Sequence, residues 1–388
     1  MAAPLTCRAL EERDYPKWNQ LVASSSLGSP YSTPEYLEAL CAATGGSFRI
    51  LALDRGGEFW GGIALYEENS RFGPFVSDRK LLFYNGLVLR ETPTKYPSQK
   101  TARQVELLEA LEEGLARTQY ASLRFKSRAA LTDVRPFLDK GWTPSLAYSY
   151  VVPIADTAAA WERVEQNLRR LVARAEKSGI SFVEDQDFES FYRLHEQTHV
   201  RKGAPLYLPF DPFSRWFRTL SAKGLCRLFH ARMPDGRAIA SQLVLTGAHP
   251  ITHTLAAAAD GEFQHLGGNP FLRWNAFVAL AKLGYQGNDL TDASLNPVTH
   301  FKSQLGGNLE TAIVLARPEK LAFRAERWAR GFVQRLREGA RPAEDEERQR
   351  PAPTQETAPA PAPPSPPPPP AAPNPPSPPT NRPRKSLG

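Results

Sequence analysis

The chain has 388 residues, enough for two ordinary domains with a good core in each. Hydrophobic residues make up 41% and charged residues 23%, the balance of a mostly globular chain, and no apolar run approaches the ~20 residues of a membrane-spanning helix. The formal charge of +7 favours anionic partners such as phosphates, nucleic acid or an acidic membrane face, yet no block of like charge marks a nucleic-acid arm.

Cys7, Cys41 and Cys226 are scattered and form no CxxC pair, so neither a disulfide framework nor a cysteine zinc site is expected. The opening residues MAAPLTCRALEERDYPKW hold no apolar signal core and carry acids early. A cytoplasmic location is expected, with the inner face of the membrane as a further site.

In chain order, FRILALD and EFWGGIALYE flank the turn Arg55-Gly56-Gly57 and read as a hairpin. KLLFYNGLVL reads as another strand. The helix predicted over 101–117 puts Val105, Leu108, Leu111 and Leu115 on one stripe. ASLRF and SYVVPI follow as strands, and the second closes a first half at about residue 155. A single helix is predicted over 157–179, capped by Asp156 or Thr157 and ended by Gly179. Trp161, Val164, Leu168, Leu171, Val172 and Ala175 form its apolar side. Arg163, Arg170, Arg174 and Lys177 line another side, as a solvated face or as a rail for an anionic substrate.

The second half repeats the order hairpin, strand, helix, strand. GLCRLFHARM and AIASQLVLT flank the turn Pro234-Asp235-Gly236. ITHTLAAAA is a third strand, GGNPFLRWNAFVALAKLGY a helix opened by glycines and proline, NDLTDAS a strand and LETAIVLA the last. A helix over 318–339 aligns Leu321, Ala325, Trp328 and Phe332 and carries arginines elsewhere, a pattern for packing on the domain or lying on an anionic membrane. Half of the chain's 36 prolines fall after residue 340. The stretch 340–388 is expected to be a disordered, polyproline-like tail, solvated or a ligand for an SH3-like groove.

Several motifs bear on chemistry. His195-Glu196-Gln197-Thr198-His199 matches HExxH, whose histidines share a helical face and can ligate zinc. A catalytic zinc needs a third protein ligand. The longer form HExxHxxGxxH fails, with Lys202 and Pro205 at its glycine and third-histidine positions, and no glutamate occurs from Arg201 to Asp260. The expectation is an ordinary helix packing through Phe188, Phe191, Tyr192 and Leu194, with no metal bound; a zinc hydrolase is the minor alternative. Gln264, Gly267, Gly268 and Asn269 precede a helix and can cradle a phosphate, or form a plain loop. Asp289 and Asp292 follow a strand, where carboxylates can orient an amine or take its proton. Phe301 and Lys302 pair a ring for stacking with an ammonium for an oxygen. No GxSxG elbow is present.

Together these residues resemble the FemAB-like acyltransferases, a GNAT-fold group that includes peptidyltransferases of cell-wall precursors. The likeness runs over about residues 18–315. Ser29 to Tyr36 is similar to the family's PFxTPEW pattern. Asn167 to Gly179 is similar to its RRxIRKAEKxGV segment. Thr198, Arg201, Gly203, Pro205 and Tyr207 fit its T-xx-R-x-G-xP-xY stretch. Phe301, Lys302, Gly306 and Gly307 fit its FKxxFGG, with Leu305 at the aromatic position.

The resemblance implies an α/β (α+β) fold of two tandem GNAT-like domains, 1–155 and 156–317, each a mixed, mostly antiparallel sheet flanked by helices. It implies transfer of an acyl or aminoacyl group to an amine of a cell-envelope or small-molecule precursor, with acyl-CoA or aminoacyl-tRNA as co-substrate and no bound cofactor. Gln264, Gly267, Gly268, Asn269, Phe301 and Lys302 would bind the donor, and Arg174, Arg201, Lys202 and Tyr207 the acceptor. Backbone N–H groups or Lys302 would stabilise the oxyanion, and Asp289, Asp292 or His253 would accept the proton. A different class is a non-catalytic GNAT-like binding protein tethered by its proline-rich tail.

Overall fold

Short runs of alternating or wholly apolar residues, punctuated by Gly and Asp turns, make this chain a sheet protein with helices on its faces. The computed structural model describes residues 3–329, which form one compact unit. The tail 340–388 and the rest of the helix predicted over 318–339 lie outside the described residues; backbone at 321–329 is helical.

The first half carries β1 (Thr6–Ala9), β2 (Ser47–Arg55), β3 (Glu58–Ser70), β4 (Gly73–Val76), β5 (Leu87–Leu89), β6 (Ser122–Lys126) and β7 (Thr143–Pro153). Its helices are α1 (Tyr15–Ser24), α2 (Pro34–Thr44), α3 (Pro97–Arg117) and α4 (Arg135–Asp139). The second half carries β8 (Ser181–Glu184), β9 (Cys226–Arg232), β10 (Ala238–Leu245), β11 (Ile251–Ala259), β12 (Gly287–Asp289) and β13 (Asn308–Ala316). Around them lie α5 (Thr157–Arg163), α6 (Gln166–Lys177), α7 (Phe188–Arg201), α8 (Phe210–Ala222), α9 (Gly268–Lys282) and α10 (Pro297–Ser303). The predicted hairpins are β2–β3 and β9–β10, each antiparallel.

All strands join one 13-stranded sheet, in the order β1-β2-β3-β4-β6-β13-β7-β12-β11-β10-β9-β8, with β5 on β3. The middle of this order is interlocked. Strand β7 closes the first half in sequence but pairs with β12 and β13. Strand β13 closes the second half but pairs with β6 and β7. Each half therefore gives its last strand to the seam, and strands from both sides of residue 155 hold one another.

Helix α3 buries Leu107, Leu108, Leu111 and Leu115 against Ile63, Phe125 and Phe137. Leu107 takes the place expected for Val105. In the second half, α6 and α9 bury Leu168, Val172, Phe271, Leu272 and Phe277 against Phe229, Ile239 and Val244. A third cluster crosses between the halves, bringing Trp18, Tyr31 and Tyr36 together with Phe191, Phe213 and Trp216. The motif near residue 30 has a local cause: Thr33 caps α2 through the Tyr36 N–H and Pro34 fills its first position, where its missing N–H costs nothing.

The single helix predicted over 157–179 is two. Glu165 leaves helical geometry (φ −60°, ψ 145°), and its N–H donates to the Gln304 carbonyl at 3.0 Å, a tertiary bond that replaces a helical one. At the same place Gly306 turns left-handed (φ 82°), and a Cβ there would lie 2.8 Å from the Arg163 Cβ. The first glycine of the Gly306-Gly307 pair is thus demanded by close approach to α5. Gly306→Ala should lower the unfolding free energy by about 1–3 kcal/mol, read from urea midpoints at constant slope. Equal midpoints would show that the turn carries no such constraint.

Candidate active site

Strands β11 and β12 run parallel, pairing Ile251 with Gly287, Thr252 with Asn288 and His253 with Asp289. There they part. Beyond Asp289 the chain follows β7 instead: the Leu290 N–H donates to the Tyr150 carbonyl and the Ala293 N–H to that of Tyr148, both at 2.8 Å. On the other side, β11 carries an extra residue, Leu255, where its register with β10 shifts between Leu243 and Val244. Such a bulge bends a strand and re-aims its groups. The result is a cleft of about 610 Å³ between the parted strands. Its walls include Thr254–Ala257, Leu290–Asp292, Lys202, Tyr207, Arg273 and Lys302.

One wall is strained. Thr291 (φ 49°) and Asp292 (φ 40°) are consecutive non-glycine residues in left-handed geometry. Such residues persist only where their surroundings over-determine them. Here the Thr291 N–H donates to Asp289 Oδ1 at 2.8 Å and its hydroxyl to the Thr254 carbonyl at 2.9 Å. The Lys302 ammonium donates to the Thr291 carbonyl and, at 2.6 Å, to that of Asp292. Burial first, and then the nearby Arg273 cation, lower the Lys302 pKa to about 8.

The sequence grouped Asp289, Asp292 and His253 as proton acceptors. Of these, only Asp292 is exposed in the cleft. Asp289 is fully buried and accepts from the Tyr84 hydroxyl at 2.9 Å, the Ser149 hydroxyl and the Thr291 N–H. His253 is also fully buried, with Tyr31 and Tyr84 rings at 5.2 and 5.7 Å; its Nδ1 lies 3.6 Å from Asp289 Oδ2, and neither ring nitrogen has a hydrogen-bond partner among the described residues. Burial holds its pKa well below the ordinary histidine value, helped by Arg128 and His249. Asp289 and His253 form the floor behind the strained turn; neither lines the cleft.

The residues assigned to the acceptor divide similarly. Lys202 and Tyr207 line the cleft. Arg174 donates to the His265 carbonyl at 3.0 Å, and Arg201 to that of Ala259 at 3.4 Å; neither lines it. Of the donor set, Lys302 reaches the cleft, while Phe301 packs on the second-half core. The segment Gln264–Leu266 is a 3-10 turn and Gly267 is left-handed (φ 78°). A Cβ on Gly267 would lie 2.3 Å from the Leu171 carbonyl, so that glycine answers to close packing of α6. Gln264, Gly267, Gly268 and Asn269 stand apart from the cleft lining, at the start of α9, which has no side-chain cap.

His195 and His199 lie on α7 with ring centroids 4.1 Å apart. His195 is buried against Phe191, Phe213 and Tyr207, and burial drives its pKa down to about 3. Among the described residues no group of three or more His, Cys, Asp or Glu is placed to hold a metal ion. The HExxH pair instead props Tyr207, whose ring lies 4.9 and 5.2 Å from the two imidazoles.

Sequence reasoning missed Arg273, which lines the cleft and is 5% exposed. Its signal was available: an arginine within FLRWNAF, among residues that pack in the core. It also missed Tyr84 and Ser149, which reach the site from the first half and leave no local signature.

Residues 162–303 match the Acetyltransferase (GNAT) domain family. No curated protein matches the chain. Among solved structures, FemX superposes with a TM-score of 0.63 at 14% identity, covering 79% of this chain and 96% of FemX. The C-terminal domain of a putative lysylphosphatidylglycerol synthetase from Agrobacterium fabrum gives 0.51 at 12% identity, covering 81% and 94%. A conserved protein of unknown function from Bacteroides thetaiotaomicron gives 0.51 at 8%, covering 81% and 100%. Residues 162–303 are thus similar to a GNAT acetyltransferase domain, and the fold is shared with FemX.

Two carboxylates three residues apart thus make different predictions. Asp289→Ala would strand two hydroxyls and an N–H in the interior and should cost about 3 kcal/mol of stability. Asp292→Asn should stay within about 0.5 kcal/mol, as exposed substitutions do. Thermal or urea unfolding of both variants checks this, and equal effects would refute the division of roles.

Proposed function

We propose that the cleft between β11 and β12 is where an amine attacks the activated carbonyl of an acyl or aminoacyl donor. The observation that carries this reading is the meeting of Asp292 and Lys302 in a cleft between two parted parallel strands of the GNAT domain. The donor is an acyl-CoA or an aminoacyl-tRNA, whose shared chemistry is a thioester or ester carbonyl. The acceptor is an amine on a small molecule or a cell-envelope precursor. The neighbour named as a lysylphosphatidylglycerol synthetase is in keeping with an aminoacyl cargo.

The reaction balances without an enzyme-bound acyl group. The neutral amine forms the new C–N bond, the C–S or C–O bond breaks, and the leaving thiol or alcohol takes up a proton. Among the described residues neither cysteine nor serine lines the cleft, and the hydroxyls of Thr254, Thr291 and Thr299 already donate to Asn288, Thr254 and Ser294, which favours direct attack over a covalent intermediate. Asp292 accepts the proton that the amine sheds. Past His253 the edge of β11 facing the cleft has no strand partner, so its backbone can donate to the developing oxyanion. Lys302 has spent two N–H groups on carbonyls and keeps one for that oxyanion. Holding both substrates in this geometry supplies much of the remaining rate.

The test is a mass-spectrometric search for product using acyl-CoAs and aminoacyl-tRNA with a panel of amines. Lys302→Ala should lower kcat by about 10²–10³, as loss of an oxyanion donor does. Unchanged product formation would remove Lys302 from the site. Because Lys302 acts as a cation with a pKa near 8, kcat should fall as pH rises past about 8. Lys302→Arg, always charged, should move that basic limb up by at least one pH unit. A limb that stays in place in the arginine variant would assign it to another group.

A further inference from the structure

Arg273 is a charge without a partner. It sits on α9, is 5% exposed and lines the cleft. Its Nε and Nη1 are buried and make no hydrogen bond. Among the described residues no carboxylate offsets it; burial alone accounts for a pKa lowered to about 10. A guanidinium taken out of water without a counter-charge is costly, and proteins keep such a group where a ligand or partner completes it. Its surroundings do not solve the problem internally. Lys302 and Lys202 line the same cleft, and Asp292 is the one acid among the lining residues. Arg273 is close enough to Lys302 to disfavour the lysine's charge. Three cations against Asp292 in the cleft and Asp289 behind it leave a net positive charge that calls for an anion.

We infer that this cleft binds an acyl acceptor bearing a compact oxyanion, a carboxylate or a phosphate monoester, gripped by Arg273, with its reacting amine directed to Asp292. The planar fork of an arginine matches two oxygens of either anion, whereas the neighbouring lysines act as point charges. The lone acid takes the opposite end of the same molecule, so a zwitterionic amine fits the charge pattern where a plain amine does not. The apolar wall of Leu255, Ala256 and Leu290 excludes water and strengthens both contacts. The assignment of the oxyanion to the acceptor rests on the acyl-transfer reading; the anion site itself rests on Arg273 and the cleft.

The experiment uses the full chain and two readouts. The first is the thermal midpoint in chloride buffer, with inorganic phosphate or acetate added as probes. Wild type should rise by roughly 3 °C at about one hundred times Kd. The stronger of the two probes separates a phosphate from a carboxylate ligand. Arg273→Met should lose that rise and, without anion, be at least as stable as wild type, because a thioether replaces an unpaired buried cation. An Arg273→Met protein several degrees less stable that keeps the full rise would overturn the proposal. Should the methionine variant fail to fold, Arg273→Lys tests the same point: it keeps the charge and loses the fork, so the rise should shrink, and an undiminished rise counts against Arg273.

The second readout is acyl transfer to amino acids and amino phosphates compared with their uncharged amides and alcohols. Charged acceptors should be preferred by roughly 10- to 150-fold in kcat/KM, and Arg273→Met should erase that preference. Turnover with no such preference would sink the inference and leave the acyl-transfer reading standing. Arg273-dependent anion binding with no turnover of any donor would do the reverse for the reading, and would keep the anion site.

Discussion

The ladder between β7 and β13 is the constraint on which this molecule depends. It pairs Thr143 through Val151 with Ala316 through Asn308 without interruption. By placing the last strand of each half beside the other, it fuses two sheets into one. It also opens the cleft. Strand β12 pairs with β11 on one side and β7 on the other for only three residues. Past Asp289 the backbone keeps its bonds to β7 and gives up those to β11. Past that point the left-handed turn at Thr291 and Asp292 follows β7 away from β11, so the cleft is bounded by backbone that a first-half strand holds.

That shape is kept under tension by two charged groups, one on each side of the turn. Asp289 gathers donors from Tyr84 and Ser149 and spends its remaining capacity on the Thr291 N–H. Lys302 holds the carbonyls of Thr291 and Asp292 from the other side. Between them they keep two side-chain-bearing residues in geometry that costs of order 1–3 kcal/mol each. Burial separates the two carboxylates: Asp289 is held by Tyr84, Ser149 and Thr291, Asp292 faces the cleft, and Lys302 both braces the turn and lines the cleft.

Much of this was legible in the sequence, and the division follows distance along the chain. Both hairpins, the long helix α3 and the helix α9 were read from local periodicity and turn residues, because neighbours in sequence determine them. The Phe301–Gly307 segment was read from resemblance, and Gly306 now has a steric reason. The break at Glu165 was not legible, since the bond that replaces the helical one comes from Gln304, far along the chain. The separation of Asp289 and His253 from Asp292 was equally hidden. The sequence offered all three as proton acceptors, but only the packing of Tyr31 and Tyr84 from the first half closes off the first two. Arg273 lay in plain view within the helix GGNPFLRWNAFVALAKLGY; its meaning required knowing that, among the described residues, no carboxylate comes to meet it.

The interlocked seam also sets an order of events during synthesis. When β7 leaves the ribosome, neither of its partners yet exists. Residues 154–286 must be made before β12 appears, roughly 7–27 s at 5–20 residues per second, and β13 comes later still. Throughout that interval both edges of β7 present unpaired backbone groups, on a strand that carries Leu146 and Tyr148 as exposed side chains even in the finished protein. The first half therefore cannot finish folding as it emerges. Its closing strand must wait, and completion of the sheet is a late, chain-spanning step that couples the birth of the cleft to the arrival of the last strand.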